Sequence, residues 1–277
     1  MQHCEEHGYI VVFATGKYLG NADRIDTSTQ TIYGVWDYGH DDDDSEFLGS
    51  FDRSTGELSN HINIGENVTL LEQVQIDWRT LPGHNLRTLS SCSDDPAYCA
   101  NWQTEEDTFV DSLPNIGSND TQNPAHAGWY FDLPGYGLGV DLVEGERVIK
   151  DLMIRDGKAI VISSVPSTSP CSGGGNSMVH EINACTGERI ARAPFDIDDD
   201  GDVDEDDYIN IPGLGDVPPS GISYPGVLHP PVVLRMPTVP GMPPRELKIF
   251  STSSGNTVSL MENAEKRGIV YWREFSQ

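Results

Sequence analysis

An acidic stretch, residues 196–207, is the segment that most limits how this chain can fold. Nine of its twelve residues are Asp or Glu, so without a bound cation its carboxylates would repel one another. The spacing matches the twelve-residue loop of EF-hand calcium sites, and Gly201 falls at position 6, where the chain must turn sharply. This spacing favours a Ca²⁺ loop over a merely solvated acidic run. The predicted ligands are Asp196, Asp198, Asp200, Asp202 through its backbone carbonyl, Asp204 and Asp207.

The sequences that flank this loop are typical of β-structure and not of a helix pair. Upstream, residues 178–183 alternate between apolar and polar side chains, and a turn follows at Thr186 and Gly187. Downstream, residues 208–213 run into Pro212 and Gly213. The loop therefore lacks the helices whose reorientation opens a calcium sensor, and we expect a structural or slowly exchanging site.

The rest of the chain indicates an all-β fold. Short apolar runs, such as residues 9–14, 31–37 and 158–163, are bounded by turn residues, and the chain holds 28 Gly and 18 Pro. A strand–turn–strand unit with a Thr-Gly turn occurs twice, at residues 55–57 and 186–188. About a dozen strands, or roughly three to four four-stranded blades, predict a modified or partial β-propeller with long loop insertions.

We expect residues 1–277 to form one domain with two insertions. Residues 80–127 are polar and irregular, with a weak helical signal at 102–113, and residues 212–244 are rich in Pro and Gly around one strand at 232–235. Apolar runs at 9–14 and 268–273 lie near the two ends of the chain. If the propeller is partial, the chain expressed alone should expose apolar surface and dimerise or aggregate.

Charge limits the possible partners. The net charge of −27 and the pI near 4.3 exclude nucleic acids and anionic membranes as partners, because both require basic surface. No apolar run is long enough to span a bilayer, so we predict no transmembrane segment. The first seven residues lack the features of a signal peptide, which indicates a cytosolic chain or a piece of a longer exported protein. The calcium-type loop and the cysteines favour the exported protein.

Five cysteines raise the question of disulfides. Cys92 and Cys99 flank a polar turn, and Cys171 and Cys185 can also pair, which leaves Cys4 free. Neither pair has the spacing of a zinc or redox site. Two disulfides fit an oxidising compartment, and five free thiols are the alternative, since connectivity cannot be read from a sequence.

Three other motifs are interpreted as structural. Residues 3–7 match an inverted zinc-peptidase signature, but that signature needs a helix and here a glycine and a buried strand follow. The glycines at 173–175 lack the lysine and helix of a phosphate-binding loop. The acidic run at residues 40–46 lacks a placed glycine and is expected to be solvated.

Several segments, taken together and in order, are similar to one known family. They are residues 13–19, 33–37, 128–134, 145–148, 170–175, the acidic loop and residues 271–274. This series resembles the C-terminal region of the PilC/PilY family, exported proteins associated with the tip of bacterial type IV pili. The resemblance covers most of the chain except residues 80–127 and 212–244.

The resemblance implies a modified β-propeller without enzymatic activity that promotes pilus assembly, opposes retraction and takes part in adhesion. Its partners would be pilus subunits, including minor pilins, and a host or abiotic surface, and its location would be extracellular or at the outer membrane. In that family a loop of this type binds Ca²⁺ and influences the balance of pilus extension and retraction.

The alternative is a propeller enzyme of the quinoprotein dehydrogenase type, since Thr-Gly hairpins fit that class too. Such an enzyme would need a Trp to stack on its cofactor and basic residues at the propeller axis. The chain offers only 17 Lys and Arg in total.

Overall fold

The computed structural model describes residues 1–6, 8–37, 50–52, 54, 57–59, 68–102, 104–110, 113–116, 123–135, 145–167, 174–237, 239–240 and 243–264. The acidic run at 40–46, the apolar run at 268–273 and Cys171 lie outside these residues. Within them the secondary structure is β-strand, with three short 3₁₀ helices and no α-helix. The predicted all-β class is confirmed.

The described residues form twenty strands. They are β1 (Tyr9–Ala14), β2 (Thr31–Asp37), β3 (Ser50–Asp52), β4 (Glu57–Ser59), β5 (Val68–Gln73), β6 (Gln75–Leu81), β7 (His84–Leu89), β8 (Thr104–Val110), β9 (Leu113–Ile116), β10 (Ala125–Asp132), β11 (Arg147–Val148), β12 (Met153–Arg155), β13 (Lys158–Val165), β14 (Asn176–Asn183), β15 (Ile209–Ile211), β16 (Gly215–Val217), β17 (Gly221–Pro225), β18 (Val232–Arg235), β19 (Arg245–Ser251) and β20 (Thr257–Asn263). The 3₁₀ helices are Asn21–Arg24, Pro96–Tyr98 and Glu205–Asp207.

The strands form two large sheets and three small ones. A six-stranded sheet has the order β1-β2-β10-β5-β4-β3, and a seven-stranded sheet has the order β11-β13-β14-β17-β7-β6, with β12 also paired to β13. The small sheets are β18-β19-β20, β15-β16 and β8-β9. The expectation of four-stranded blades is wrong for the described residues, whose two large sheets have six and seven strands. No closed ring is seen among these residues, and a partial propeller stays a prediction. Pairing between β17 and β7 brings strands that are distant in sequence into one sheet.

The sheets are stacked in layers, and strand β13 shows how its sequence produces the stacking. Successive side chains of a strand point to opposite faces. Ala159 and Val161 therefore pack in an apolar cluster with Ile32 and Trp129 of the six-stranded sheet. Ile160 and Ile162 belong to a second cluster on the other face. The seven-stranded sheet is thus buried on both faces.

The second cluster joins the seven-stranded sheet to the small sheet β18-β19-β20. Phe250 of β19 and Leu260 of β20 are buried in it. Phe195 and Ile209, which lie just before and just after the acidic loop, are buried in the same cluster. The loop is therefore anchored at both ends in the core, next to this three-stranded sheet.

Trp129 packs against the Thr-Gly turn identified in the sequence. Its side chain is 0% exposed, and its indole N–H donates to the Ala184 carbonyl at 3.2 Å. A Cβ atom at Gly187 would lie 2.4 Å from this ring, and one at Gly34 would lie 2.2 Å from it. The turn uses glycine both for its positive φ of 73° and for this close approach.

The segment at residues 80–127 is not the insertion that the sequence indicates. Its first part, β7, lies inside the seven-stranded sheet, and Leu86 and Leu89 are fully buried. Residues 104–110 form strand β8 and not a helix. The signal for β7 is weak because the strand has only two apolar side chains, and its burial depends on partners elsewhere in the chain.

The Pro/Gly-rich segment at 212–244 also contributes to the core. The predicted strand at 232–235 is present as β18, but β17 was missed because its sequence begins with Gly and ends with Pro. Ile222 and Tyr224 of β17 are buried in the second cluster. A strand fully inside a sheet can therefore have the composition of a loop.

The disulfides agree with the sequence prediction in one case of two. Cys92 pairs with Cys99, as predicted. Cys185 pairs with Cys4, so the predicted bond to Cys171 and a free Cys4 are wrong. Residues 1–3 run along the edge of β1, with a bridge between Gln2 and Tyr9, and they bring Cys4 to the end of β14.

One face of strand β1 is apolar and exposed. Tyr9, Val11 and Phe13 are 57%, 50% and 44% exposed, and Phe13 stacks on Tyr33 with ring centroids 5.2 Å apart. Exposed apolar surface of this kind favours association. The expected dimerisation or aggregation of the chain expressed alone stays a prediction.

Candidate metal site

The acidic loop connects two buried positions of the core without a helix on its upstream side. Downstream it ends in the single 3₁₀ turn Glu205–Asp207, for which Asp204 is the N-cap. The Asp204 carboxylate accepts the Asp206 N–H at 2.9 Å. Loop residues Asp199 and Gly201 have φ angles of 61° and 90°, and nothing lies within 4 Å of a Cβ placed at Gly201. The glycine is thus used for its backbone conformation.

Three of the six predicted ligands bring their carboxylates together. One oxygen each from Asp196, Asp198 and Asp207 lies within 4.8 Å of the other two. Asp207 is buried, Asp196 is half-buried and Asp198 is exposed. Such a group, open to solvent on one side, suits a hard cation that binds several oxygen ligands and keeps one or more waters.

Asp207 closes the loop through both of its carboxylate oxygens. Its Oδ1 accepts the Ile197 N–H at 2.6 Å, and its Oδ2 accepts the Asp204 N–H at 2.9 Å. One side chain therefore fixes the beginning and the end of the loop. This geometry brings Asp207 next to Asp196 although eleven positions separate them.

Asp196 has one satisfied and one unsatisfied oxygen. Its Oδ2 accepts the Gly201 N–H at 3.0 Å. Its Oδ1 is buried and has no hydrogen-bond partner among the described residues. A buried acceptor without a partner is unfavourable, and a cation bound between the three carboxylates would supply the missing interaction.

The electrostatics of the loop also suit a cation. Burial raises the pKa of Asp207 to about 6, and the negative charges of Asp196 and Asp198 contribute in the same direction. Burial likewise raises the pKa of Asp196. A bound divalent cation would favour the ionised form of both groups.

The other three predicted ligands lie outside this group of carboxylates. Asp200 accepts the Asp202 N–H at 2.8 Å, and Asp204 caps the 3₁₀ turn. The Asp202 carboxylate lies 3.3 Å from the Arg245 guanidinium. Their roles as ligands stay predictions.

Two residues that the sequence did not single out contact the loop backbone. Arg245 Nη1 donates to the Gly201 carbonyl at 2.5 Å, and Asn263 Nδ2 donates to the Val203 carbonyl at 2.6 Å. Both lie far from the loop in sequence. No local pattern could have identified them.

A buried Ser–His–Glu group elsewhere in the core needs separate consideration. Ser163 Oγ lies 2.9 Å from His180 Nε2, and both residues are 0% exposed. Glu146 contacts the same end of the imidazole and pairs with Arg87, while His180 Nδ1 has no partner among the described residues. A catalytic triad would place the carboxylate on the far nitrogen and expose the serine to substrate. The group is structural.

The zinc-peptidase signature at residues 3–7 has a structural explanation too. His3 is buried beside Trp36 and Trp102, and its Nδ1 accepts the Glu6 N–H at 2.8 Å. Cys4 forms a disulfide. His3 is therefore held in the apolar core.

Comparisons with known proteins connect this architecture to one family. A family model described as the PilY1 beta-propeller domain matches residues 1–73. Type IV pilus biogenesis factor PilY1 of Pseudomonas aeruginosa strain PAO1 is 32% identical over 201 residues, which is 71% of this chain. This chain belongs to the PilC/PilY family. The PilY1 of strain UCBPP-PA14 is 24% identical over 200 residues.

The PilY1 similarity extends to the fold. The crystal structure of the Pseudomonas aeruginosa PilY1 C-terminal domain aligns with a TM-score of 0.57 and 22% identity, over 95% of this chain and 43% of that one. The matched region is 14% of the length of the PAO1 relative. The relatives are named as pilus biogenesis factors and not as enzymes, which is compatible with a non-enzymatic role. Among the residues described here, none of the helices has the length and apolar character needed to cross a membrane.

Proposed function

We propose that this chain is the Ca²⁺-binding part of a type IV pilus protein that supports pilus assembly, restrains retraction and contributes to surface adhesion. The pilus role rests on the relationship to proteins named as type IV pilus biogenesis factors. The calcium role rests on one observation, the convergence of the Asp196, Asp198 and Asp207 carboxylates. The partners would be minor pilins and a host or abiotic surface, outside the cell or at the outer membrane.

The loop suits Ca²⁺ better than Mg²⁺. Ca²⁺ accepts six to eight oxygen ligands in flexible geometry, whereas Mg²⁺ requires a near-ideal octahedron and retains its waters. Asp196 and Asp207 would hold the ion on the core side, Asp198 on the solvent side, and Asp200, Asp202 and Asp204 would complete the shell. The ion would neutralise part of the charge of nine neighbouring acids.

The binding test compares two exposed aspartates of the same loop. Asp198→Ala removes one of the three converging carboxylates, and Asp206→Ala removes a carboxylate outside that group, so the change in net charge is the same. Isothermal titration should give a calcium Kd between about 10⁻⁷ and 10⁻³ M for the wild type. Asp206→Ala should retain this binding, and Asp198→Ala should weaken it at least about tenfold. Equal binding by the wild type and both variants would contradict the assignment.

The pilus role is tested with the same substitutions in the full-length gene. A strain that lacks the gene should recover surface pili when complemented with wild type or Asp206→Ala, and it should recover fewer pili with Asp198→Ala. Quantifying pilin sheared from the cell surface measures this. Normal piliation in the gene-deletion strain itself would argue against the pilus role.

A further inference from the structure

The open end of the hairpin β19–β20 holds the backbone of the acidic loop. Arg245 and Asn263 face each other as cross-strand partners at this end. They donate hydrogen bonds to the Gly201 and Val203 carbonyls, at 2.5 Å and 2.6 Å. Two successive contacts of this kind orient the peptide groups between them.

Asp202 is the residue between the two held carbonyls. In the twelve-residue loop it occupies position 7, whose backbone carbonyl is the expected ligand. Arg245 also forms an ion pair with its carboxylate at 3.3 Å. Arg245 thus holds the Asp202 carboxylate in an ion pair, outside the group of three converging carboxylates.

A third contact ties the hairpin to the beginning of the loop. The Asp196 N–H donates to the Met261 carbonyl of β20 at 3.4 Å. Leu260, the neighbour of Met261, is buried in the same apolar cluster as Phe195 and Ile209 at the two ends of the loop. Any change that orders the loop therefore also orders the part of the apolar cluster against which the hairpin packs.

The remainder of the interface between the three-stranded sheet and the seven-stranded sheet is unusually charged. Glu246, Lys248 and Glu262 are at most 2% exposed, and they pair with three charged residues of the larger sheet. Those residues are Arg155, Lys158 and Glu181. Burying charged groups carries a desolvation penalty that offsets much of their attraction, although Arg155 keeps 24% of its side chain exposed. These ion pairs therefore add little net stability to the docking of the sheet β18-β19-β20, which rests mainly on the apolar cluster around Phe250 and Leu260.

We propose that this three-stranded sheet forms the outer wall of the metal site, so that cation binding and docking of the sheet stabilise each other. Arg245 and Asn263 are the positioning residues of this coupling. The inference rests on the proposed calcium site. Because thermodynamic coupling is reciprocal, a variant that destabilises docking of the sheet must also lower the affinity for the cation. A bound cation must in turn stabilise docking of the sheet.

Hydrogen exchange followed by mass spectrometry tests the coupling, with and without CaCl₂. In the wild type, Ca²⁺ should slow exchange across β19 and β20. Asn263→Ala should bind Ca²⁺ about tenfold more weakly, and the slowing in these strands should be reduced. Arg245→Gln, which keeps a polar side chain, should show the same two effects.

Asn256→Ala is the matched control. Asn256 lies in the turn at the other end of the same hairpin, where its Nδ2 donates a hydrogen bond to Ser254 Oγ at 3.4 Å. This variant should bind Ca²⁺ with the wild-type affinity. Ca²⁺ should also slow hydrogen exchange in its strands β19 and β20 as much as in the wild type.

The possible failures can be told apart. A wild type that shows no calcium binding by titration would overturn both the calcium site and the coupling. Calcium binding with unchanged exchange in β19 and β20 would overturn the coupling alone. Wild-type affinity in both Asn263→Ala and Arg245→Gln would also overturn it, and a titration of Arg245→Gln decides the matter if Asn263→Ala does not fold.

Discussion

Arg87 and Glu146 form a two-point ion pair in which neither side chain is exposed. Their contacts are 2.9 Å from Nη1 to Oε1 and 2.8 Å from Nη2 to Oε2. Arg87 also donates to the Gly135 carbonyl at 2.6 Å. Burial alone would raise the pKa of Glu146, but the charge of Arg87 and the hydrogen bonds from His180 and Arg87 lower it below its usual range. The carboxylate is therefore ionised in the core.

Breaking this pair should be strongly destabilising. Arg87→Met leaves the Glu146 carboxylate buried without its partner, and a loss of about 3–5 kcal/mol is expected in the free energy of unfolding. The double variant Arg87→Met/Glu146→Leu removes both charges and should be less destabilised than Arg87→Met alone. Denaturant unfolding of the double variant and of the single variants Arg87→Met and Glu146→Leu measures these effects. A double variant that loses as much as the sum of the two single variants would show that the ion pair contributes nothing as a pair.

The contact of Trp129 with Gly187 predicts a second stability effect. Gly187→Ala adds a Cβ against the indole ring at a position with positive φ, whereas Gly83→Ala adds one at a φ of 97° with nothing within 4 Å. Gly83→Ala should cost about 1 kcal/mol from backbone strain, and Gly187→Ala should cost about 3 kcal/mol or more because of the added clash. Thermal unfolding of the two variants provides the comparison. Equal losses would indicate that the contact with Trp129 is unimportant.

His126 predicts a pH dependence of stability. It is buried, burial lowers its pKa to about 4, and its Nδ1 accepts the Asn101 N–H at 2.8 Å. Between pH 6.5 and about 4 the unfolded chain therefore binds a proton that the folded chain does not. Folding should lose at most about 1.4 kcal/mol for each pH unit as the pH falls through this window, and nothing further below it.

The control for His126 is the non-titrating variant His126→Asn, whose side-chain oxygen can accept the same N–H. Burial raises the pKa of Asp207 to about 6, within the same window, so the informative quantity is the difference in unfolding free energy between wild type and variant. As the pH falls from 6.5 to 4, the free energy of unfolding of the wild type should decrease relative to that of His126→Asn. A difference that does not depend on pH would disprove a neutral, buried His126.

The two disulfides should contribute unequally. Cys4 and Cys185 are 181 positions apart and Cys92 and Cys99 are seven apart. If the disulfides act by restricting the unfolded chain, the first should stabilise by about 5 kcal/mol and the second by about 2 kcal/mol. Paired Cys→Ala variants, compared by denaturant unfolding, measure both contributions. A Cys171–Cys185 cross-link in non-reduced digests would contradict the pairing.

The sequence predicted those parts of the fold that depend on residues close together in the chain. Strands β1 and β13 have continuous apolar runs, and Gly187 of the predicted Thr-Gly turn has the positive φ that favours glycine. Strands β7 and β17 have few apolar residues, and they are buried only because they pair with each other inside the larger sheet. Composition alone could not distinguish them from loops.

The candidate site also combines residues that local sequence identified with residues that only the fold brings together. The spacing of the loop identified Asp196, Asp198 and Asp207, whose carboxylates converge. Arg245 and Asn263 could not be identified, because only the packing of the three-stranded sheet brings them to the loop. The bond between Cys4 and Cys185 was missed for a similar reason, since it depends on where residues 1–3 lie along β1.

The pairing of β7 with β17 has a consequence for synthesis of the chain. The Leu89 N–H donates to Ser220 Oγ across 131 positions, and β17 supplies the adjacent strand. At a translation rate of about 5–20 residues per second, the hairpin β6–β7 emerges on the order of ten seconds before its partner. During that interval one edge of β7 is open to other chains. Nascent copies translated close together on one message are therefore most exposed to mispairing of this sheet. A chaperone would be most useful at that stage.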